Sequence, residues 1–390
     1  MEDARRHYLD LIRTDGVPLS PALAQAFATV PREVFVPDGF LARDGRRVLP
    51  ADPEFLPTVY SNDVLVTKLS EGRPVSSSSQ PSLMAIMIGA LDPRPGMRIL
   101  EIGAGTGYNA ALLAALGATV TTVDVQPDVA ARARSALARA GVSGVRVETA
   151  DGYTAAFAGD PERYDRIIVT VGVAGVSPHW LDRLEPGGRI IVPVEHGGTH
   201  PVLDVREQGA ATVVCPAGFM SASGPLTARR RHSHPEPVLG MEGLTGSRPS
   251  CWRPPLEALA YRDLWYAAGA WHHRVTQAAR PDRQQSCLAV LDESGESGAV
   301  VLADGAILAS GAERDRYAAI GAALADRWDA LERPPMSAWD VELAPSGPLW
   351  TPYRWTLRHR RAEDSPQPAE DSPQPAEDSP QPAEDGPRAA

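Results

Sequence analysis

The chain has 390 residues, 43% of them hydrophobic and 22% charged, a composition that suits a folded globular protein with room for two domains. Its net charge of −11 resides largely in one tail: residues 362–390 hold eight acids and one base, or −7, which leaves −4 for residues 1–361. So nearly balanced a folded part gives no case for nucleic-acid binding, and the longest apolar run, Leu83 to Leu91, is too short to cross a bilayer; neither partner is expected.

Met1-Glu2-Asp3-Ala4-Arg5-Arg6 leads into no apolar stretch, so no secretory leader is expected. Cys215, Cys251 and Cys287 are scattered and fit a reducing, cytoplasmic setting without disulfides or zinc. Residues 1–90 read as helices and loops. From 97 to 216 strands and helices alternate, which predicts a doubly wound α/β sheet. The strands fall at Met97–Ile102, Thr119–Asp124, Val145–Thr149, Asp165–Val171 and Arg189–Val194, with a helix from Pro127 to Ala140. Val202–Arg206 and Ala211–Cys215, joined by a short turn, make an antiparallel pair.

Arg229-Arg230-Arg231 and the stretch to Pro255 read as a linker. Beyond it the pattern predicts a helix over Leu256–Ala279, a hairpin from Cys287–Asp292 and Val300–Ala309, a helix over Ala312–Leu331 and two final strands. Trp265, Trp271, Trp328, Trp339, Trp350 and Trp355 are expected to build its core. The expected partition is a catalytic domain over 1–225, an accessory α/β domain over 226–361 and a tail over 362–390. That tail repeats Ala-Glu-Asp-Ser-Pro-Gln-Pro without a large apolar side chain and reads as a disordered acidic segment.

The chemistry concentrates at Leu100-Glu101-Ile102-Gly103-Ala104-Gly105-Thr106-Gly107-Tyr108. A strand enters glycines at alternate positions and a helix follows, which presents bare backbone N–H groups to a ligand. A dinucleotide or S-adenosylmethionine would suit that loop. Asp124, ending the next strand, is placed for ribose hydroxyls, although it would equally cap the helix after it. Asp151-Gly152 is placed for an adenine amino group, although such a pair is commonly a turn. The spacing is G-x-G-x-G with Glu101 before it, and Leu184–Pro193 leads into a reversed strand; together these resemble class I methyltransferases. His196 and His200 are separated by Gly197-Gly198 and carry no metal-site geometry.

Further motifs narrow the resemblance. Val30-Pro31-Arg32-Glu33-Val34-Phe35-Val36-Pro37, Tyr60-Ser61-Asn62, Ser77-Ser78-Ser79-Gln80-Pro81, Asp151-Gly152, Tyr164–Val169 and Pro186–Pro193 occur in the order and spacing of protein-L-isoaspartate O-methyltransferases. The likeness covers roughly residues 20–220. It implies a Rossmann-like sheet with an antiparallel last strand and S-adenosyl-L-methionine as cofactor. Ser79 takes the position of the active-site serine, where composition alone would read a flexible serine loop. Gly103, Gly105, Gly107, Asp124, Asp151 and Gly152 take cofactor positions, with Ser78 and Glu101 beside them. The substrate implied is a protein or peptide bearing aspartate or isoaspartate, methylated on its carboxylate and then closed to a succinimide.

Two departures stand out. The loop Asp63–Val75 is longer than in compact repair enzymes and carries Lys68 and Arg73 where substrate would pass, and residues 226–361 are an addition. Three readings follow: a general isoaspartyl methyltransferase; a tailoring enzyme that methylates an ordinary aspartate of a constrained ribosomal peptide gripped by the added domain, with Arg229–Arg231 and Arg358–Arg361 as contacts for an acidic precursor or simply as solvated loop charge; or a non-catalytic cofactor-binding scaffold. The intact acceptor motif disfavours the third. A monomer is expected.

Overall fold

The computed structural model describes residues 2–14, 16–155, 163–227, 243–279 and 286–358; Arg229–Arg231, residues 359–361 and the repeat tail lie outside them. The N-terminal region comprises α1 (Glu2–Thr14), α2 (Pro21–Thr29), β1 (Phe40–Leu41), β2 (Arg47–Val48), α3 (Phe55–Val59), β3 (Leu65–Ser70), β4 (Arg73–Ser78) and α4 (Pro81–Leu91). Its strands form a four-stranded antiparallel sheet, ordered β2-β1-β3-β4, where the sequence suggested only helices and loops. The expected loop 63–75 is largely the β3–β4 hairpin. Glu71 and Gly72 at its tip both take positive φ, 50° and 76°, the backbone that matches the twist of a two-residue hairpin.

The central sheet starts with β5 (Arg98–Ile102), α5 (Tyr108–Ala115), β6 (Thr119–Asp124), α6 (Pro127–Arg139), β7 (Val145–Thr149) and β8 (Tyr164–Val169). It continues through α7 (Pro178–Asp182), β9 (Leu184–Pro193), β10 (Val202–Val205) and β11 (Ala210–Cys215). Strands β5 to β9 pair in parallel, while β10 runs antiparallel to both β9 and β11. Side chains alternate between faces as the pleat requires. Ile99, Ile168, Ile191 and Val202 join the core beneath α1, α2 and α4. Their neighbours Leu100, Ile167, Ile190 and Leu203 join a second core on the opposite face.

The extension contains β12 (Thr245–Arg248), α8 (Ala258–Trp271), β13 (Val275–Ala279), β14 (Ser286–Leu291), β15 (Gly298–Val301), β16 (Ile307–Ser310), α9 (Arg314–Ala330), β17 (Trp339–Ser346) and β18 (Leu349–Leu357). The predicted helix 256–279 stops at Trp271, because Val275–Ala279 pairs with β14 as an edge strand. The predicted second hairpin arm is two strands, bent where Gly305 takes φ +79° and Asp304 accepts the Ala306 N–H at 3.0 Å. Strands β12 to β16 form their own five-stranded antiparallel sheet, but β17 and β18 do not belong to it. They extend the central sheet to nine strands, ordered β18-β17-β11-β10-β9-β8-β5-β6-β7. Trp265, Trp328 and Trp339 are buried, yet the core they build is the second face of the central sheet, shared with Val192, Val205 and Val213. Met1–His359 forms one compact unit. A boundary near residue 225 therefore marks a change in sequence character without separating two cores.

The loop from Glu195 to His200 locks the two parts together. Trp265 Nε1–H donates to the Gly197 carbonyl at 2.8 Å, and a Cβ at Gly198 would lie 2.5 Å from the Gln277 nitrogen. His196 is buried on the ring of Tyr266, with Nε2 2.7 Å from the Tyr266 carbonyl oxygen. Burial pulls its pKa down from 6.5 to about 4. Between those values the unfolded chain binds a proton that the folded chain refuses, so stability is full above pH 6.5 and falls as pH drops toward 4. The expected loss is about 3 kcal/mol. A His196→Phe variant cannot protonate, so wild type should weaken relative to it by that amount across this window in denaturant titrations. A gap that does not change with pH would refute the assignment.

Candidate active site

Backbone geometry makes the cradle. Gly103 takes φ +98°, and a Cβ there would lie 2.7 Å from Thr170 Oγ1. Thr170 cannot retreat, since its hydroxyl is held at 2.7 Å from the Gly103 oxygen and 3.1 Å from that of Ile102. Gly105 takes φ +52° and lies against the Ser77 carbonyl, 3.1 Å from where a Cβ would sit. A cavity of about 940 Å³ opens over this loop, in the upper range of small-molecule sites. Ser78, Ser79, Glu101, Gly103, Gly105, Asp124, Asp151 and Gly152 all line it. Gly107 does not. It starts α5 with φ +84°, and a Cβ there would come 3.3 Å from Ala133, so its bareness lets α5 meet α6.

The acids have distinct settings. Glu101 is fully buried, Oε1 accepts from Asn109 Nδ2 at 2.6 Å, and among the described residues Oε2 has no hydrogen-bond partner. Burial raises its pKa to about 7. Asp124 accepts the Gly105 N–H at 3.2 Å and the Gln126 N–H at 3.0 Å, so it shapes the glycine loop as well as the start of α6. Burial raises its pKa too. Asp151 accepts the Tyr153 N–H at 2.9 Å, the local turn that an Asp-Gly pair favours, while remaining on the cavity wall. Gly152 fits closely: a Cβ would lie 2.8 Å from Ile102. An orphaned buried carboxylate oxygen, a glycine loop whose backbone lines the cavity and a second acid at a strand end suit a cationic, nucleoside-bearing ligand.

The β3–β4 hairpin covers one side. Lys68 Nζ binds Gln126 Oε1 at 2.8 Å and Asp128 Oδ1 at 2.7 Å, and Gln126 Nε2 donates to the Val75 carbonyl at 3.1 Å. Lys68 therefore clamps the hairpin to the start of α6, while Arg73 lines the cavity. Sequence reasoning missed the opposite wall, Gly218 to Ser223, which carries no motif. Two hydrogen bonds of 2.8 Å between Gly172 and residues 220 and 222 bring it there, and the His200 ring packs behind Gly172. Asn62 stood in a motif, but the sequence did not show its role: its carboxamide caps α4 by accepting the Ser82 N–H at 2.9 Å. No helix among the described residues is long and apolar enough to cross a membrane.

Comparison with known proteins decides the family. The sequence model of the Protein-L-isoaspartate(D-aspartate) O-methyltransferase family matches residues 3–221, more than half of the chain. The chain belongs to this family. A protein-L-isoaspartate O-methyltransferase of Methanoculleus marisnigri is 39% identical over 184 residues, 47% of this chain and 73% of that relative. One from Gloeobacter violaceus is 34% identical over 227 residues, 57% of this chain and 98% of that relative. A solved protein-L-isoaspartate O-methyltransferase structure superposes with a TM-score of 0.51 at 22% identity, covering 90% of this chain and 99% of its own. That likeness, of fold alone, reaches beyond residue 221. The protein is thus an isoaspartyl-family methyltransferase whose sheet is lengthened by its own extension.

Proposed function

We propose that the protein transfers a methyl group from S-adenosyl-L-methionine to the free carboxylate of L-isoaspartyl residues in proteins or peptides. The observation that carries this reading is the meeting of the glycine loop and Ser79 on one cavity, in a chain of this family. Bound S-adenosylmethionine supplies an electrophilic sulfonium methyl. The chain's own task is placement. A carboxyl group with pKa of about 4 is already anionic at neutral pH, so no general base is needed. Alignment at attack distance supplies the acceleration, and the Ser79 hydroxyl holds the carboxylate oxygen that does not attack. The ester then activates its carbonyl carbon toward the following backbone nitrogen. Methanol leaves, a succinimide closes, and water opens it to aspartate or isoaspartate. A precursor-specific tailoring role would use the extension as a grip; β17 and β18 spent on the central sheet support the general reading.

Labelled cofactor and an isoaspartyl peptide test this directly. The label should be released by mild base as methanol, and Ser79→Ala should lower kcat/KM by roughly tenfold or more with cofactor affinity unchanged. Base-stable label would mean a different acceptor atom and end the proposal.

Glu101 makes the cofactor site pH-sensitive. Its ionised form would hold the ligand's ammonium group, so a proton would have to leave a carboxyl that titrates at about 7. Affinity should fall about fivefold from pH 7 to pH 6 by calorimetry, and the slope should flatten in Glu101→Gln. An unchanged slope in the variant would assign the proton elsewhere.

A further inference from the structure

Arg32 lies in a single turn of 3-10 helix, Arg32–Phe35, and is completely buried. Among the described residues its guanidinium pairs with no carboxylate. It donates instead to backbone carbonyls: Nη1 to Val59 at 2.9 Å and Ser61 at 3.2 Å, Nη2 to Asp63 at 3.0 Å and Ser79 at 2.9 Å, with Nε 3.4 Å from Ser78 Oγ. The rings of Tyr8 and Tyr108 lie about 6 Å from its charge. A buried cation is costly unless every donor is met, and here the planar fork is met by two separate loops.

Arg32 thus ties the loop of residues 59–63 to the segment Ser78–Gln80, and that segment lines the cavity. Ser61 and Asp63 flank Asn62, the residue that caps α4. Ser79 supplies the other anchor. In a trans peptide the C=O and the following N–H point in opposite directions. With the Ser79 carbonyl turned to Arg32, the Gln80 N–H points away from it, and Gln80 lines the cavity. That N–H makes no hydrogen bond among the described residues. A cation on the carbonyl polarises the peptide unit and strengthens its N–H as a donor.

We infer that Arg32 is a positioning residue for methyl transfer, and that through the Ser79–Gln80 peptide it aims the Gln80 N–H at the acceptor carboxylate, beside the Ser79 hydroxyl. This rests on the carboxyl-methylation reading above. The two devices hold one oxygen of the carboxylate and leave the other to attack.

The test removes a single hydrogen-bond donor. Gln80 has φ −59° and ψ 129°, values a proline adopts unstrained, so Gln80→Pro deletes the N–H with the chain path kept. Gln80→Ala loses the same carboxamide and keeps the N–H, which makes it the reference. With labelled S-adenosylmethionine and an isoaspartyl peptide, Gln80→Pro should fall at least about thirtyfold below Gln80→Ala in kcat/KM, with equal cofactor affinity by calorimetry. Arg32→Lys keeps the charge and loses the fork, so it should lower kcat/KM by about tenfold or more while cofactor affinity holds. A merely structural arginine would lower the melting temperature and cofactor affinity together. Gln80→Pro within threefold of Gln80→Ala, or Arg32→Lys with unchanged turnover, would overturn the inference. If Gln80→Pro does not fold, Arg32→Lys decides alone. Should wild type methylate no carboxyl group at all, the functional reading fails and the inference falls with it.

Discussion

A chain ended at residue 225 will not yield a folded methyltransferase, although the family match ends at residue 221. Three structural facts require this. Strand β11 pairs with β17 through Ala210, Ala211 and Thr212, so truncation turns an interior strand into an edge. Val176 and Trp350 exchange two backbone hydrogen bonds of 2.8 Å, and the Tyr153 hydroxyl donates to the Pro348 carbonyl at 3.0 Å, two residues from Asp151. Trp265, Tyr266, Trp339, Val341, Leu343 and Leu349 also share one buried cluster with Trp180, Val192 and Val213. Each large apolar side chain returned to water costs about 1.5–3 kcal/mol. A handful of them exceeds the 5–15 kcal/mol or so that holds an ordinary domain. The shortened protein should show no cooperative calorimetric transition and no cofactor binding. A sharp transition with full-length affinity would instead establish residues 1–225 as an autonomous domain.

The second large effect concerns Gly103. In Gly103→Ala the new Cβ would face Thr170 Oγ1 at 2.7 Å and Val171 Cγ1 at 3.0 Å, on a backbone at φ +98°. Strain of that kind costs about 1–3 kcal/mol. Thr170 is tied on both sides by its own hydrogen bonds, so the glycine loop must move instead. Displacing the loop that lines the cavity should weaken S-adenosylmethionine binding by about thirtyfold or more, near 2 kcal/mol. Gly141→Ala is the matched control, with φ +65° and nothing within 4 Å of the new atom. It should cost about 1 kcal/mol of stability and leave affinity alone. Equal affinities in the two variants would contradict the cradle.

The central strands were legible because they are short segments carrying Val, Ile or Thr, with Gly, Pro or Asp close by. Thr119–Asp124 and Val145–Thr149 match their predicted limits. The N-terminal sheet was not, since β1 and β2 are two residues long and β4 reads Arg-Pro-Val-Ser-Ser-Ser, with no apolar alternation to mark it. The docking of β17 on β11 joins residues 340 and 212, and no local pattern announces a partner so far along the chain. At the site, the glycine loop and Ser79 stood out through motif order. Arg32 was visible as a letter in a motif, but its role was hidden. An arginine that binds backbone carbonyls and a serine hydroxyl leaves no complementary acid in the sequence to pair it with. The wall from 218 to 223 owes its place to hydrogen bonds with Gly172, which any side chains could accompany.

The most direct test of the central claim uses two linear hexapeptides, identical except that one carries isoaspartate where the other carries aspartate. Each is incubated with the full chain and labelled S-adenosylmethionine. Base-labile label on the isoaspartyl peptide and none on the aspartyl peptide is the predicted result. Label on neither, in a protein that binds the cofactor, would contradict the general isoaspartyl reading and point to a dedicated precursor as substrate.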